Sequence, residues 1–149
     1  ASVIRSFTHR AMNEPEKSIG RLAALQAYEI AGLGPDDMDV AEVHDASAMG
    51  EILQSENLGL APPGGGGPAA ERGEFTLGGR IPINPSGGLE SKGHPLGATG
   101  IGQLFELVTQ LRGEAGARQV EGARHAIQEN GGGLQGVEEA AVAIHILSK

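Results

Sequence analysis

The chain has 149 residues, a formal net charge of −8, 39% hydrophobic residues and no cysteine. That length suits one compact domain with a real core, and the missing cysteines exclude disulfides, thiolate metal sites and a cysteine nucleophile within the chain. The acidity, with no basic patch or aromatic platform, argues against nucleic acid as a partner and gives no general attraction for a polyphosphate ligand.

"SVIRSFTHR" (2–10) is rich in β-branched residues and alternates in places, which predicts a strand. It has no long apolar segment of the secretory type, no run of the chain reaches about 18 apolar residues, and a cytoplasmic location is the expectation. "EPEKSIGRLAALQAYEIAGL" (14–33) reads as a helix whose Ile19, Leu22, Ala23, Leu25, Ala27, Ile30 and Ala31 gather largely on one side. Glu14, Glu16 and Ser18 suit its start, and Gly32 or Gly34 with Pro35 ends it. "PDDMD" (35–39) is a turn and "VAEVHDA" (40–46) a short strand running into a loop. "SAMGEILQSENLGL" (47–60) is a second helix, with Ser47 as N-cap and Gly59 closing it. "APPGGGGPAAERGEF" (61–75) reads as a surface loop whose residues 61–74 are flexible. "RIPIN" (80–84) is a strand, and a helix is predicted over 99–111. "RHAIQEN" (124–130) is a strand, "GGGLQG" (131–136) a tight connection and "EAAVAIHIL" (139–147) a closing strand, the last pair forming an antiparallel hairpin. The alternation predicts an α/β fold over residues 1–149, with a layered, mostly buried mixed sheet and covering helices.

Between the third predicted strand and the last long helix lies "NPSGGLESKGHPLGATG" (84–100). Its glycines let backbone approach a ligand closely. His94 is followed by Pro95, which biases the histidine toward an extended conformation. A histidine at a strand-to-helix junction sits where open α/β sheets put ligands, and histidine is suited to general-base work. Taken alone, a glycine-rich loop with one histidine is more often structural. The wider constellation favours a site: His44 and Asp45 end one strand, and Glu129 and Asn130 end another. Asp45 has a plainer reading, as a partner of His44 or a helix cap, and Glu129 another as a solvated strand-end acid. His9, His125 and His145 read as structural or surface residues, the last two on strand faces without an evident partner, Tyr28 as packing, and Met12, Met38 and Met49 as gap fillers or surface residues. The five histidines lack ligand spacing with carboxylates, so no metal site is read.

These stretches carry a family resemblance. "NPSGGLESKGHPLGATG" is similar to the Asn-x-x-Gly-Gly to Gly-His-Pro-x-Gly block of thiolases. "AEVHDASAMGEILQSENLGL" resembles their second block, Asn-Glu-Ala-Phe in standard members and His-Asp-Ala-Phe in the sterol-carrier-protein-X type. "ENGGGLQG" sits where thiolases carry Cys-x-Gly-Gly-Gly, and the three come in the family's order. The resemblance implies a βαβαβαββ C-terminal half, which normally packs against a homologous N-terminal half carrying the nucleophilic cysteine. It also implies an oligomer, coenzyme A and acyl-CoA as substrates with no covalent cofactor, and, in one branch, an OB-fold, zinc-ribbon partner.

Carried over, His94 activates the missing cysteine and donates to an oxyanion hole, where such donors contribute about 3–4 kcal/mol each. His44 serves a second oxyanion hole. Asn84, Gly87, Gly88 and Gly93 belong to the loop beside the acyl-CoA, and Asn130 and Gly131 stand beside the thioester carbonyl. Two positions depart from the pattern. Glu129 stands where standard thiolases have their acid/base cysteine, and can move a proton only if burial raises its pKa toward neutrality. Ser47 replaces the phenylalanine. The implied activity is a Claisen condensation or thiolytic cleavage of a 3-ketoacyl-CoA. The alternatives are retro-aldol cleavage of a 3-hydroxyacyl-CoA and a non-catalytic acyl-CoA- or lipid-binding or assembly half.

Overall fold

A computed structural model describes residues 1–6, 14–136 and 138–149. Its sheet has four strands, β1 (Ser2–Ser6), β2 (Val40–Glu42), β3 (His125–Gln135) and β4 (Glu138–Ser148), in the order β1-β4-β3-β2. β4 is antiparallel to both neighbours and β2 is parallel to β3. The helices are α1 (Ile19–Ala31), α2 (Ala48–Asn57), α3 (Gly66–Glu71), α4 (Gly88–Lys92) and α5 (Thr99–Arg112). The expected α/β fold with a mixed, helix-covered sheet is the one observed. Residues 7–10 of the first predicted strand, His9 and Met12 lie outside the described residues. Among the described residues no helix is long and apolar enough to cross a membrane.

The α1 helix begins at Ile19 rather than Glu14, because Ser18 caps it: Ser18 Oγ accepts from Arg21 N at 3.2 Å. A single 3-10 turn over Pro15–Lys17 precedes it. The helix buries a narrow stripe of small residues, Ala23, Ala24 and Ala27, with Ile19 and Tyr28. Small side chains let α1 lie close on β4 and β1, while Leu25 and Ile30, expected inside, face outward. Tyr28 packs as expected, its hydroxyl donating to Leu58 O. Gly32, at φ 67°, closes the helix in the left-handed conformation that favours glycine. On the opposite sheet face Leu107 and Leu111 of α5 pack on Val40, Ala123 and Ala126. Three layers result, helix on sheet on helix.

Four expectations need correction. "RIPIN" is not a strand but a short extended run beside β2, with one parallel bridge from Ile83 to Ala41. Pro82 has no N–H to extend a ladder, so the pairing stops at Ala41 N to Pro82 O and Asn84 N to Ala41 O. "GGGLQG" is not the hairpin connection. β3 runs through Gly131–Gly133 as far as Gln135, which pairs with Glu138. Within 61–75, residues Gly66–Glu71 form α3, where Pro68 lies in the first turn and needs no N–H. His125 and His145 have partners, the Ser148 hydroxyl at 2.9 Å and Gln128 Oε1 at 2.6 Å.

Candidate active site

The site is built where β2 ends. Asn84 sets the entry to the glycine-rich loop. It is the one non-glycine among the described residues with a positive φ, 51°, a conformation asparagine tolerates. Its Oδ1 accepts from Val43 N at 2.8 Å and its Nδ2 donates to Glu51 Oε2 at 3.0 Å. The loop is thereby stitched to β2 and α2 at once. Glu42, fully buried, accepts from Ser86 N at 3.1 Å and from Ser86 Oγ at 2.7 Å. Burial lifts its pKa to about 7, against the Ser86 hydrogen bonds and the Lys92 charge, which lower it. Asp45 does cap a helix, but the helix is α4: its Oδ1 accepts from Leu89 N at 2.7 Å. Gly88 is required there, since its φ is 60° and a Cβ would stand 2.0 Å from Asp45 Oδ2. Gly87, at φ 98°, makes the turn before it, and Gly93, at φ 81°, ends α4 one residue before His94. Asn84, Gly87, Gly88 and Gly93 are thus the frame that presents His94.

His94 and His44 meet. Their Nε2 atoms are 3.4 Å apart and their ring centroids 4.9 Å. His94 Nδ1 lies 2.7 Å from Thr99 Oγ1, whose hydroxyl in turn reaches Pro95 O at 3.3 Å. With that hydroxyl donating to the carbonyl, it accepts from His94 Nδ1–H. In the neutral ring this leaves a lone pair on Nε2. His44 then has its Nε2–H to donate. The pKa of His44 is lowered by burial first and by the neighbouring His94 next, with Asp45 opposing.

Beneath them, His44 N donates to Glu129 Oε2 at 2.9 Å. Glu129 is fully buried, and burial, then the Glu139 charge, raise its pKa to about 8, against the His44 hydrogen bond. The pKa condition set for Glu129 as a proton carrier is therefore met. Its carboxyl, however, lies under the His44 peptide and lines neither of two clefts that meet at the histidine pair. One cleft, about 550 Å³, opens past Leu53, Gln54 and Glu139; the other, about 410 Å³, opens past Thr99, Asn130 and Gly131. Gly131 leaves room for Glu139, whose Cγ would be 2.4 Å from a Cβ there. The structure thus brings together His44, His94, Asn130 and Gly131, with Glu129 behind them.

Sequence reasoning missed Glu42, Glu51, Thr99 and Glu139. Thr99 had a signal, lying five residues after His94 across one turn. Nothing in the sequence pattern marks the three acids. Among the described residues no group of three or more histidines and acids could hold a metal ion.

The fold and this histidine pair define a class: an α/β domain with a polar site assembled from strand-end loops and open to solvent at His94. Residues 1–148 match the thiolase C-terminal domain-like family, and the chain belongs to that family. Over 108 residues it is 59% identical to sterol carrier protein 2 of Rattus norvegicus, a match covering 72% of this chain and 20% of that protein. It is 51% identical over 127 residues to an acetyl-CoA acetyltransferase of Methanothermobacter thermautotrophicus, covering 85% of this chain and 32% of that one. The benzoylsuccinyl-CoA thiolase subunit BbsB of Thauera aromatica is 39% identical, covering 80% and 32%. Among solved structures the Ltp2-ChsH2(DUF35) aldolase superposes with a TM-score of 0.80 at 21% identity, covering 99% of this chain and 38% of that one, a likeness of fold. The chain thus spans between a fifth and a third of the curated relatives it matches.

Proposed function

We propose that this chain is the base-bearing half of an acyl-CoA C-acyltransferase whose nucleophilic cysteine is carried by a thiolase-type N-terminal half, in the same or a separate chain. The observation that carries the reading is the His44–His94 pair, 3.4 Å apart at the junction of two clefts, with Thr99 Oγ1 2.7 Å from His94 Nδ1. The names of the acetyltransferase and thiolase relatives support it. In the cleavage direction, His94 Nε2 takes the proton of the cysteine thiol. The thiolate adds to the keto carbon of a 3-ketoacyl-CoA. The C2–C3 bond breaks, and its electron pair stays on C2 as the enolate of acetyl-CoA, whose oxygen accepts from His44. The enolate carbon takes the proton held on His94, and the coenzyme A thiol, giving its proton to His94, attacks the acyl-cysteine; the acyl-CoA leaves and the proton returns from His94 to the cysteine sulfur. Claisen condensation is the same sequence reversed. Asn130 and Gly131 line the second cleft and bound the carbonyl's space. Glu129 holds His44 in place through its backbone N–H and does not reach the substrate.

The partner half is proposed to cover the outer face of α5, where Ile101 and Phe105 are 68% and 70% exposed, giving a homo- or hetero-oligomer. An OB-fold acyl-CoA-associated protein is a further proposed partner, and the cytoplasm the proposed location. The test is turnover of acetoacetyl-CoA by the native assembly: His94→Ala is expected to abolish it, and full activity in that variant would refute the reading.

A second reading is favoured by the departure at position 129, where Glu129 replaces the acid/base cysteine of standard thiolases. A retro-aldolase needs no thiol: a base removes the 3-hydroxyl proton of a 3-hydroxyacyl-CoA, and the C2–C3 bond breaks to a carbonyl product and an enolate. Turnover of 3-hydroxyacyl-CoA but not 3-ketoacyl-CoA identifies it. Binding of acyl-CoA with turnover of neither identifies a non-catalytic half.

A further inference from the structure

The segment that carries His94 is not fixed by packing. Residues 90–98 are all exposed, and Gly93 forms a joint without a side chain directly before the histidine. Thr99 fastens the far side of His94. On the near side the last fastened side chain is Lys92, at the end of α4. Its Nζ donates to Ser86 Oγ at 2.5 Å and stands 3.9 Å from Glu42 Oε2. Ser86 Oγ accepts from the ammonium and donates its own hydrogen to Glu42 Oε2 at 2.7 Å. The bonds therefore run one way, from Lys92 through Ser86 to a carboxylate that is fully buried at the end of β2. Ser86 lies at the start of the glycine-rich loop and Lys92 just before His94, so one acid ties both parts of the loop.

Resting on the acyltransferase reading above, we propose that Lys92 is a positioning residue, whose ammonium acts through Ser86 and the buried Glu42 carboxylate to keep His94 in place for proton transfer. An ion pair between two exposed side chains contributes little. Here one partner is buried, and removing the cation leaves its charge without a counter-charge. The neighbouring acid has the wrong sign to replace Lys92. Glu106 of α5 raises the pKa of Glu42, whereas Lys92 lowers it. Arg118, in the 3-10 turn Gly116–Arg118, bonds Glu106 through Nε at 2.9 and 3.0 Å and through Nη2 at 2.9 Å. With burial as the largest cause, the Glu42 pKa is about 7. Above that pH the carboxylate accepts from Ser86 Oγ and answers the Lys92 charge. Below it, a proton on Oε2 turns an acceptor into a donor, and the one-way chain is broken.

The test uses the native assembly and two readouts: kcat and KM for acetoacetyl-CoA, and hydrogen–deuterium exchange of the peptide covering residues 84–96, which needs no turnover. The parent is compared with Lys92→Gln, Lys92→Arg, Glu42→Gln and the double variant Glu42→Gln with Lys92→Gln. Lys92→Gln is expected to lower kcat about tenfold or more with KM within about twofold, and to speed exchange of that peptide at about pH 8. Lys92→Arg should recover most of both. In the Glu42→Gln background, adding Lys92→Gln should change either readout by no more than about twofold, because the charge it answers is gone. At about pH 5.5, with Glu42 protonated, the parent and Lys92→Gln should exchange alike. A parent without acetoacetyl-CoA turnover would defeat the acyltransferase reading, and exchange alone would then decide the role of Lys92. Exchange unchanged by Lys92→Gln at about pH 8, or the same effect with and without Glu42, would overturn the proposal. A raised KM at unchanged kcat would also overturn it, by placing Lys92 on the substrate.

Discussion

Replacing Glu129 with Gln should make this protein more stable, and by an amount that depends on pH. The carboxyl is fully buried, with Oε2 on His44 N and Oε1 without a hydrogen-bond partner. Its pKa rises from 4.5 to about 8, chiefly through burial. Below pH 4.5 the folded and unfolded states both hold the proton, and the group is neutral to stability. Between 4.5 and 8 only the unfolded state releases it, so stability falls by about 1.4 kcal/mol per pH unit. Above 8 both states are ionised and the penalty saturates, at an upper bound on the order of 5 kcal/mol. Gln keeps an oxygen for His44 N and replaces the titrating oxygen with an uncharged amide. The expected outcome is a denaturant midpoint for Glu129→Gln close to the parent's at pH 5 and well above it at pH 9, with equal m-values. Glu42 and His145 titrate alike in both proteins, and so cancel in the difference. A midpoint difference that stays constant from pH 5 to pH 9 would refute the assignment of a raised pKa to this residue.

Other substitutions test the frame around His94. Gly88→Ala combines a left-handed φ with a Cβ 2.0 Å from Asp45 Oδ2, whereas Gly93→Ala has the φ alone and nothing within 4 Å. Gly93→Ala should cost about 1–2 kcal/mol and Gly88→Ala clearly more; equal losses in chemical denaturation would contradict the Asp45 contact. Thr99→Val removes the partner of His94 Nδ1; kcat of the native assembly should fall by about tenfold to a hundredfold with KM little changed, and an unchanged kcat would mean the tautomer is set otherwise. Asp45→Ala removes the cap of α4 and should cost about 1–2 kcal/mol, read by thermal unfolding; no loss would show that α4 is held by its backbone alone.

The sequence made local features readable and hid those that depend on burial. Ser18 and Ser47 are caps whose side chains bond backbone N–H groups three residues on, and both could be read because capping is short-range. The joining of His44 and His94 followed from motif order, though nothing in the 50-position separation between them hints at a 3.4 Å contact. The glycines of 131–133 were misread because glycine usually marks a turn. Here Gly131 is buried against the side chain of Glu139 from the partner strand, an approach only tertiary pairing reveals. Glu42 was invisible for a related reason. A glutamate at the end of a short strand looks solvated until the loop of Ser86 and Lys92 folds over it. On α1, hydrophobicity pointed to Leu25 and Ile30, but close contact with the sheet selected the alanines.

The account rests on His94 acting as base toward a cysteine on another half. The most direct measurement is the rate of iodoacetamide alkylation of the most reactive cysteine in the native assembly near pH 7, for the parent and for His94→Ala. A histidine-activated thiolate reacts fast at neutral pH, so rapid alkylation that slows by about tenfold or more in the variant is the predicted result. An identical rate in both proteins, or an assembly with no reactive cysteine, would contradict it.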